Sequence, residues 1–373
     1  MPSTAGLGRR LRSTLLVPFL AILLALVVGA VFMALSSPLV NGSFDLTLPF
    51  RAYGALFKGA FGSWEALTRT MANATPLILV GFAVGIGFKG GLFNIGATGQ
   101  FLVGALATTW IALLINDASP FVAIPVALLA GMVGGLLWGF IPGVLKAFTG
   151  AHEVVTTIML NYLAIFLLSW AVSGPLRGEN VTYARTDEII AAQLPIIMGT
   201  TGHAGILIAA AAVPIVWWLL FRSTIGFEIR TTGANSEAAR YAGMNPRWLI
   251  IFTMGLCGLF AGLAASTEIL GDVHYMPASF STTVGFDAIA VALLGRANPL
   301  GILFSGLLFG AMQAGSGPMQ IEAEIPVQIV SVLQAVILFF LTAEVLVRTI
   351  FRVRSDARGA DEPQLATSYG RKA

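Results

Sequence analysis

Charge is the first thing this chain lacks. Only 10% of its 373 residues are Asp, Glu, Lys or Arg, where a soluble globular protein carries about 25%. Hydrophobic residues make up 57%, and the mean hydropathy is +0.85. Too few charges remain to coat a soluble domain of this size, so the class is polytopic membrane protein. Cysteine is nearly absent as well. The single Cys257 excludes an internal disulfide and any paired-cysteine motif, and it reads as a small buried helix residue. The three histidines, His152, His203 and His274, make no legible metal motif. There is no phosphate loop ending in Gly-Lys-Ser/Thr, no His-Glu-x-x-His and no Gly-x-Ser-x-Gly. No catalytic cluster is visible, and no cofactor is expected in this chain. If ATP drives it, another subunit must bind the ATP. The net charge of +3 does not indicate nucleic acid, because the basic residues lie at the edges of apolar runs, where they set topology.

What is present is a series of long charge-free runs: 14–35, 70–88, 90–116, 120–145, 154–176, 189–221, 248–267, 297–321 and 325–343. About 20 apolar residues span a bilayer core, and barrel strands alternate over only about 10. The expectation is an all-α fold of about ten transmembrane helices, near 14–35, 70–88, 92–115, 120–145, 154–173, 203–221, 248–268, 284–295, 299–315 and 326–347. The first run is longer than the 7–15 residues of a signal-peptide core, so it reads as an uncleaved helix. Basic clusters at Arg9/Arg10/Arg12, Arg222/Arg230/Arg240/Arg247 and Arg348/Arg352/Arg354/Arg358 place both termini in the cytoplasm. All basic residues except Arg51, Lys58, Arg69, Arg177 and Arg185 then fall on the inside. Residues 1–13 form a cytoplasmic N-terminus, 14–347 the transmembrane domain with a cytoplasmic loop at 222–247, and 348–373 a cytoplasmic tail expected to be disordered. An interfacial helix is expected within 36–69 and a re-entrant turn within 269–283. "GFKGGLFNIGATGQFLVGAL" from Gly87 and "GFDAIAVALLGRANPLGILF" from Gly285 each place a polar, glycine-marked break before a glycine-rich helix. Corresponding breaks of this kind mark inverted repeats and a central transport site.

Glycines at 131, 135, 139 and 143 recur every four residues, as do Gly258/Gly262 and Gly306/Gly310. Such stripes let helix backbones approach closely. Polar groups within apolar runs are costly and therefore informative. Asn94, Thr98 and Gln100 interrupt the third run; on an unbroken helix Asn94 and Thr98 share one face and Gly96, Gln100 and Gly104 another. Glu153 heads the fifth helix, either as a favourable charge at its positive end or on the substrate route. Thr156 and Asn161 follow, the latter reading equally as an interhelical hydrogen bond or a substrate contact. Glu268 and Asp287 flank the 269–283 turn and face either a vestibule or water. Gln313 lies in the ninth helix. In the loop "RSTIGFEIRTTGANSEAARYAGMNPRW", Asn235 is an N-cap for a short helix ended by Gly243 and Pro246. A loop with such a helix suits docking into the groove of a partner.

At this loop a resemblance emerges. "GFEIRTTGANSEAARYAGMNPRWLIIFTMGLCGLFAGLAA" resembles the coupling segment of ABC-importer permeases in the family that serves branched-chain amino acids, simple sugars and nucleosides. "GLFNIGATGQFLVGA", "GAHEVVTTIMLNYLA" and "FDAIAVALLGRANPLG" look like its nucleoside-type members. The resemblance covers about residues 70–345. It implies a bacterial inner-membrane permease that is not itself an enzyme and works with a second permease subunit, ABC ATPase subunits carrying ATP-Mg and an extracytoplasmic substrate-binding lipoprotein. It implies a coupling helix over Gly233, Ala234, Asn235, Ala238, Ala239, Arg240 and Gly243. The polar residues Asn94, Thr98, Gln100, Glu153, Thr156, Asn161, Glu268, Asp287 and Gln313 are the candidates for lining the substrate pathway. Asn94 and Gln100 stand where sugar members carry Asp and Ser, which favours nucleosides over ribose-like or galactose-like sugars. An ion-coupled secondary transporter is the alternative from another class.

Overall fold

The computed structural model describes residues 4–41, 44–179, 181–280 and 283–343, together with 347, 350 and 351. In chain order the elements are α1 (Thr4–Asn41), α2 (Leu48–Phe61), α3 (Trp64–Lys89), α4 (Ala97–Leu114), α5 (Pro120–Thr149), α6 (Glu153–Ser173), β1 (Ile196–Met198), β2 (Gly202–His203), α7 (Gly205–Arg222), α8 (Thr224–Ala234), α9 (Ser236–Tyr241), α10 (Pro246–Glu268), α11 (Val284–Leu294), α12 (Pro299–Ala323) and α13 (Gln328–Thr342). α10 runs on into a π-helical turn, Ile269–Val273. Seven helices are long and apolar enough to cross a membrane: α3 to α7, α10 with its π turn, and α12. Three shorter apolar stretches, Phe19–Leu35, α11 and α13, lie where the other three of the ten expected helices fall. The expected disorder of the tail falls outside the described residues.

The helices overrun the apolar stretches. α1 continues to Asn41, α3 starts at Trp64 and carries Glu65 and Arg69, and α12 passes through Pro318 to Ala323. Hydropathy marks where lipid ends, whereas the backbone ladder continues while its residues tolerate helical dihedrals. The segment 36–69 holds a helix, α2. Asp45 starts it by accepting from Thr47 N at 2.8 Å and from Arg51 Nη2 at 2.7 Å.

The described residues divide into two compact units. One comprises Met71–Gly310. Its centre is a seam of α5 against α10, with α4 on both. Gly131, Gly135, Gly139 and Gly143 are buried on α5. A methyl on Gly135 would overlap Gly258 O and stand 2.9 Å from Gly262 Cα, and one on Gly143 would stand 3.0 Å from Ile251 Cα. One on Gly104 of α4 would meet Gly262 Cα at 2.5 Å. The backbones touch because nothing intervenes. Thr108 and Ser266 close the seam with a 2.7 Å hydroxyl pair. Gly306 and Gly310 do the same for α12 against Ile78 and Ala74 of α3.

The chain between α6 and α7 folds over this unit instead of forming a domain. Thr186 N donates to Met276 O at 2.9 Å, Ile189 N to His274 O at 2.8 Å and Leu194 N to Leu270 O at 2.7 Å. Asn116 Oδ1 accepts from Ile190 N and Ala191 N. Within the expected turn at 269–283, Ile269–Val273 form a π turn, and backbone groups of Leu270, His274, Met276 and Ala278 pair with residues 184–194. His203 is buried, accepts from Gly205 N through Nδ1 at 3.2 Å, and is held below the ordinary imidazole range by its burial.

The second unit is formed by the described residues up to Thr70 and from Ala311 onward. Ala21, Ala25 and Met33 of α1 pack with Leu48 and Ala52 of α2 and with Leu333 and Ile337 of α13. Tyr53 donates to Leu26 O at 2.6 Å, and Lys58 pairs with Glu322 at 2.9 Å.

Candidate functional site: a helix break and a docking segment

The polar stretch after α3 is a break between two helices, not the start of one. Gly91 N donates to Phe88 O at 3.1 Å and Leu92 N to Gly87 O at 2.9 Å, while Gly91 takes φ +69°. These are the paired bonds and left-handed residue of a Schellman closure. The chain then crosses residues 92–96 without regular structure, and α4 begins at Ala97. Asn94 and Thr98 therefore do not share a helix face, and the expectation of a helix from 92 is corrected: Gly91 turns the chain, and the helix must be nucleated again.

Three amides rebuild what the break leaves open. Asn94 is 1% exposed; its Oδ1 accepts from Gly96 N at 3.0 Å and its Nδ2 donates to Gln100 Oε1 at 2.9 Å. Asn161 of α6, 7% exposed, accepts from Gly99 N at 2.8 Å and donates to Ile95 O at 3.0 Å. Gln100 and Gly104 do share the face turned to the α5–α10 seam: a methyl on Gly139 would stand 3.2 Å from Gln100 Nε2. Gln100 Nε2, Thr98 Oγ1 and Trp138 Nε1 are buried without a hydrogen-bond partner among the described residues. Trp138 Nε1 lies 3.1 Å from where a Gly99 methyl would be, and a methyl on Gly285 of α11 would overlap Thr98 Oγ1. The break is thus enclosed by α5, α6 and α11 and keeps polar atoms with unused bonding capacity.

The other expected pathway residues are placed as follows. Glu153 opens α6 and accepts from Lys146 Nζ at 2.6 Å. Thr156 Oγ1 donates to His152 O and Glu153 O. Asp287 accepts from Thr283 Oγ1 at 2.8 Å in the first turn of α11. Glu268 is half-buried at the end of α10. Gln313 belongs to the other unit, where its carbonyl accepts from Ser316 Oγ at 2.7 Å. The structure therefore brings together Asn94, Thr98, Gln100 and Asn161. Trp138 joins them without any sequence signal, since an aromatic on an apolar helix reads as lipid-facing. No group of three His, Cys, Asp or Glu that could hold a metal occurs among the described residues.

The segment 222–247 is helical. Ser223 caps α8 by accepting from Gly226 N at 3.0 Å. Asn235 caps α9 by accepting from Glu237 N and Ala238 N, both at 3.0 Å. α9 ends in a second Schellman closure: Gly243 N donates to Arg240 O, Met244 N to Ala239 O, and Gly243 takes φ +83°. Ala234, Asn235, Ala238, Arg240 and Gly243 are exposed, Ala239 is buried and Gly233 half-buried. Beside α9 lies an open groove of about 610 Å³, lined in part by Arg222, Phe227, Glu228, Arg230 and Met244. Tyr241, 91% exposed at the tip of α9, was not singled out by the sequence.

Residues 66–342 match the family described as branched-chain amino acid transport system / permease component. Over 343 residues the chain is 38% identical to the guanosine ABC transporter permease protein NupP of Bacillus subtilis, covering 91% of this chain and 96% of the relative. It is 37% identical over 364 residues to the glucose ABC transporter permease protein TsgB13 of Haloferax volcanii, covering 94% and 93%. It is 34% identical over 346 residues to the nucleoside ABC transporter permease protein NupB of Lactococcus lactis, covering 90% and 92%. More distant similarity reaches a second guanosine and a second nucleoside permease protein, NupQ and NupC, from the same two bacteria.

Proposed function

Because the chain belongs to the family of branched-chain amino acid transport system permease components, we propose that it is the multi-pass permease subunit of an ATP-driven nucleoside importer in the inner membrane. The observation that carries the substrate is the similarity to guanosine and nucleoside permease proteins along nearly the whole of both chains. A second permease subunit pairs with it, a reading supported by the two relatives from each of two bacteria. ATP and Mg bind to separate ATPase subunits, and a substrate-binding lipoprotein delivers the nucleoside from outside. The α8–α9 segment is the ATPase docking element: it is capped at both ends, presents Arg240 and Tyr241 outward, and borders a groove. Nucleoside passes the break at Asn94–Gln100, where unpaired amide, hydroxyl and indole groups become available when the surrounding helices part. Glu153, Thr156, Glu268 and Asp287 flank that route.

A sugar importer is the second reading, favoured by the glucose permease relative of nearly equal similarity. Uptake of labelled guanosine, adenosine, uridine, glucose and ribose by a strain lacking this chain, with and without complementation, decides between them. Restored nucleoside uptake with unchanged sugar uptake is expected. Restored glucose or ribose uptake alone would establish the second reading.

A further inference from the structure

The docking segment and the helix break touch each other through bare backbone. At the end of α8, a methyl on Gly233 would overlap Lys89 O and stand 2.6 Å from both Gly90 C and Gly91 N. Conversely, a methyl on Gly91 would stand 2.8 Å from Gly233 O and 2.9 Å from its Cα. Ile229, fully buried one turn earlier on α8, has its Cγ2 3.4 Å from where a Gly90 methyl would be. Three residues after Gly91 comes Asn94, the first of the amides that hold the break.

We propose that this contact is where movement of the α8–α9 segment enters the pore, and that Gly91 and Gly233 are positioning residues for coupled transport. The inference rests on the reading of α8–α9 as the ATPase docking element. Its physical basis is stiffness. A side chain between two backbones can change rotamer and absorb a displacement, whereas backbone in van der Waals contact must move with its neighbour. The neighbour here is the left-handed turn that fixes the direction of residues 92–96. A shift of Gly233 is therefore delivered to the closure of α3 and to the Asn94–Gln100–Asn161 network. Side chains at 233 or 91 would wedge the two backbones apart. Shortening Ile229 would instead leave the turn unsupported on one side.

The test uses the assembled transporter in proteoliposomes with its ATPase, partner permease and binding protein, recording ATP hydrolysis and uptake of labelled guanosine, adenosine and uridine together. Gly233→Ala is expected to raise the ATP hydrolysed per nucleoside delivered by about tenfold, within the range that allosteric coupling energies span. Ile229→Ala should shift it in the same direction by less. A variant damaged only in folding loses hydrolysis and uptake in proportion to the amount assembled, leaving that ratio unchanged. Should Gly233→Ala fail to assemble, Ile229→Ala decides alone. Wild-type ratios in the variants that assemble would overturn the inference while leaving the proposed function intact. A wild-type permease that does not assemble with its ATPase would instead remove the reading on which the inference depends.

Discussion

One amide, Asn161, closes both sides of the break, accepting from Gly99 N and donating to Ile95 O across 62 and 66 residues of sequence. Neither backbone group has a helical partner to fall back on, and a buried polar group left unsatisfied costs about 1–3 kcal/mol. Asn161→Ala should therefore lower stability by about 2–4 kcal/mol, read as a lower thermal unfolding midpoint in detergent. Asn161→Asp should not rescue it, because it keeps the acceptor for Gly99 but sets a second oxygen against Ile95 O. Unfolding midpoints equal to wild type in both variants would show that these bonds carry nothing. The sequence marked Asn161 as either an interhelical bond or a substrate contact and left the two open. The bond is now located, but its partners are backbone groups exposed only because the chain breaks at Gly91, and a single sequence does not reveal that distant pairing.

Between elements, the α5–α10 seam was legible because a small residue every fourth position is visible as a pattern, and its consequence, close approach, follows from geometry alone. The break was located but not described. Its glycines and amides marked the place, yet where α4 starts depends on Asn161 and on α5, which lie elsewhere in the chain. The seam makes a sharp prediction. A side chain on Gly262 would overlap Gly131 O, whereas one on Gly317 of α12 would meet nothing within 4 Å. Overpacking a tight interface costs about 1–3 kcal/mol, and here the obstacle is backbone, which cannot rotate aside. Gly262→Val is expected to reduce the yield of monodisperse protein severalfold by size-exclusion chromatography, and Gly317→Ala to leave it unchanged. Equal yields would mean that α5 and α10 do not pack as described.

For the whole molecule, the number of apolar segments and their order could be read from charge and hydropathy, since the bilayer imposes a length that soluble folds do not. Helix ends could not, because lipid contact and backbone bonding stop at different residues. Orientation rests on the distribution of Lys and Arg, and it can be checked directly because the one native cysteine, Cys257, is buried. Tyr241→Cys should react with a membrane-impermeant maleimide only in inside-out vesicles, and Glu188→Cys only in right-side-out vesicles or cells. Labelling of both from the same side would invalidate the proposed topology.

The glycine seam has a thermodynamic side as well. Gly131, Gly135, Gly139, Gly258 and Gly262 have no rotamers, so joining α5 to α10 at these positions orders no side chain. A leucine at each would surrender about 0.5–1 kcal/mol of conformational freedom. Beside the Thr108–Ser266 hydroxyl pair, what such close backbone contact supplies is dispersion, which is enthalpic. The pairing therefore gives back little to side-chain entropy on warming, whereas a leucine-lined interface of the same length would weaken by that additional entropic toll.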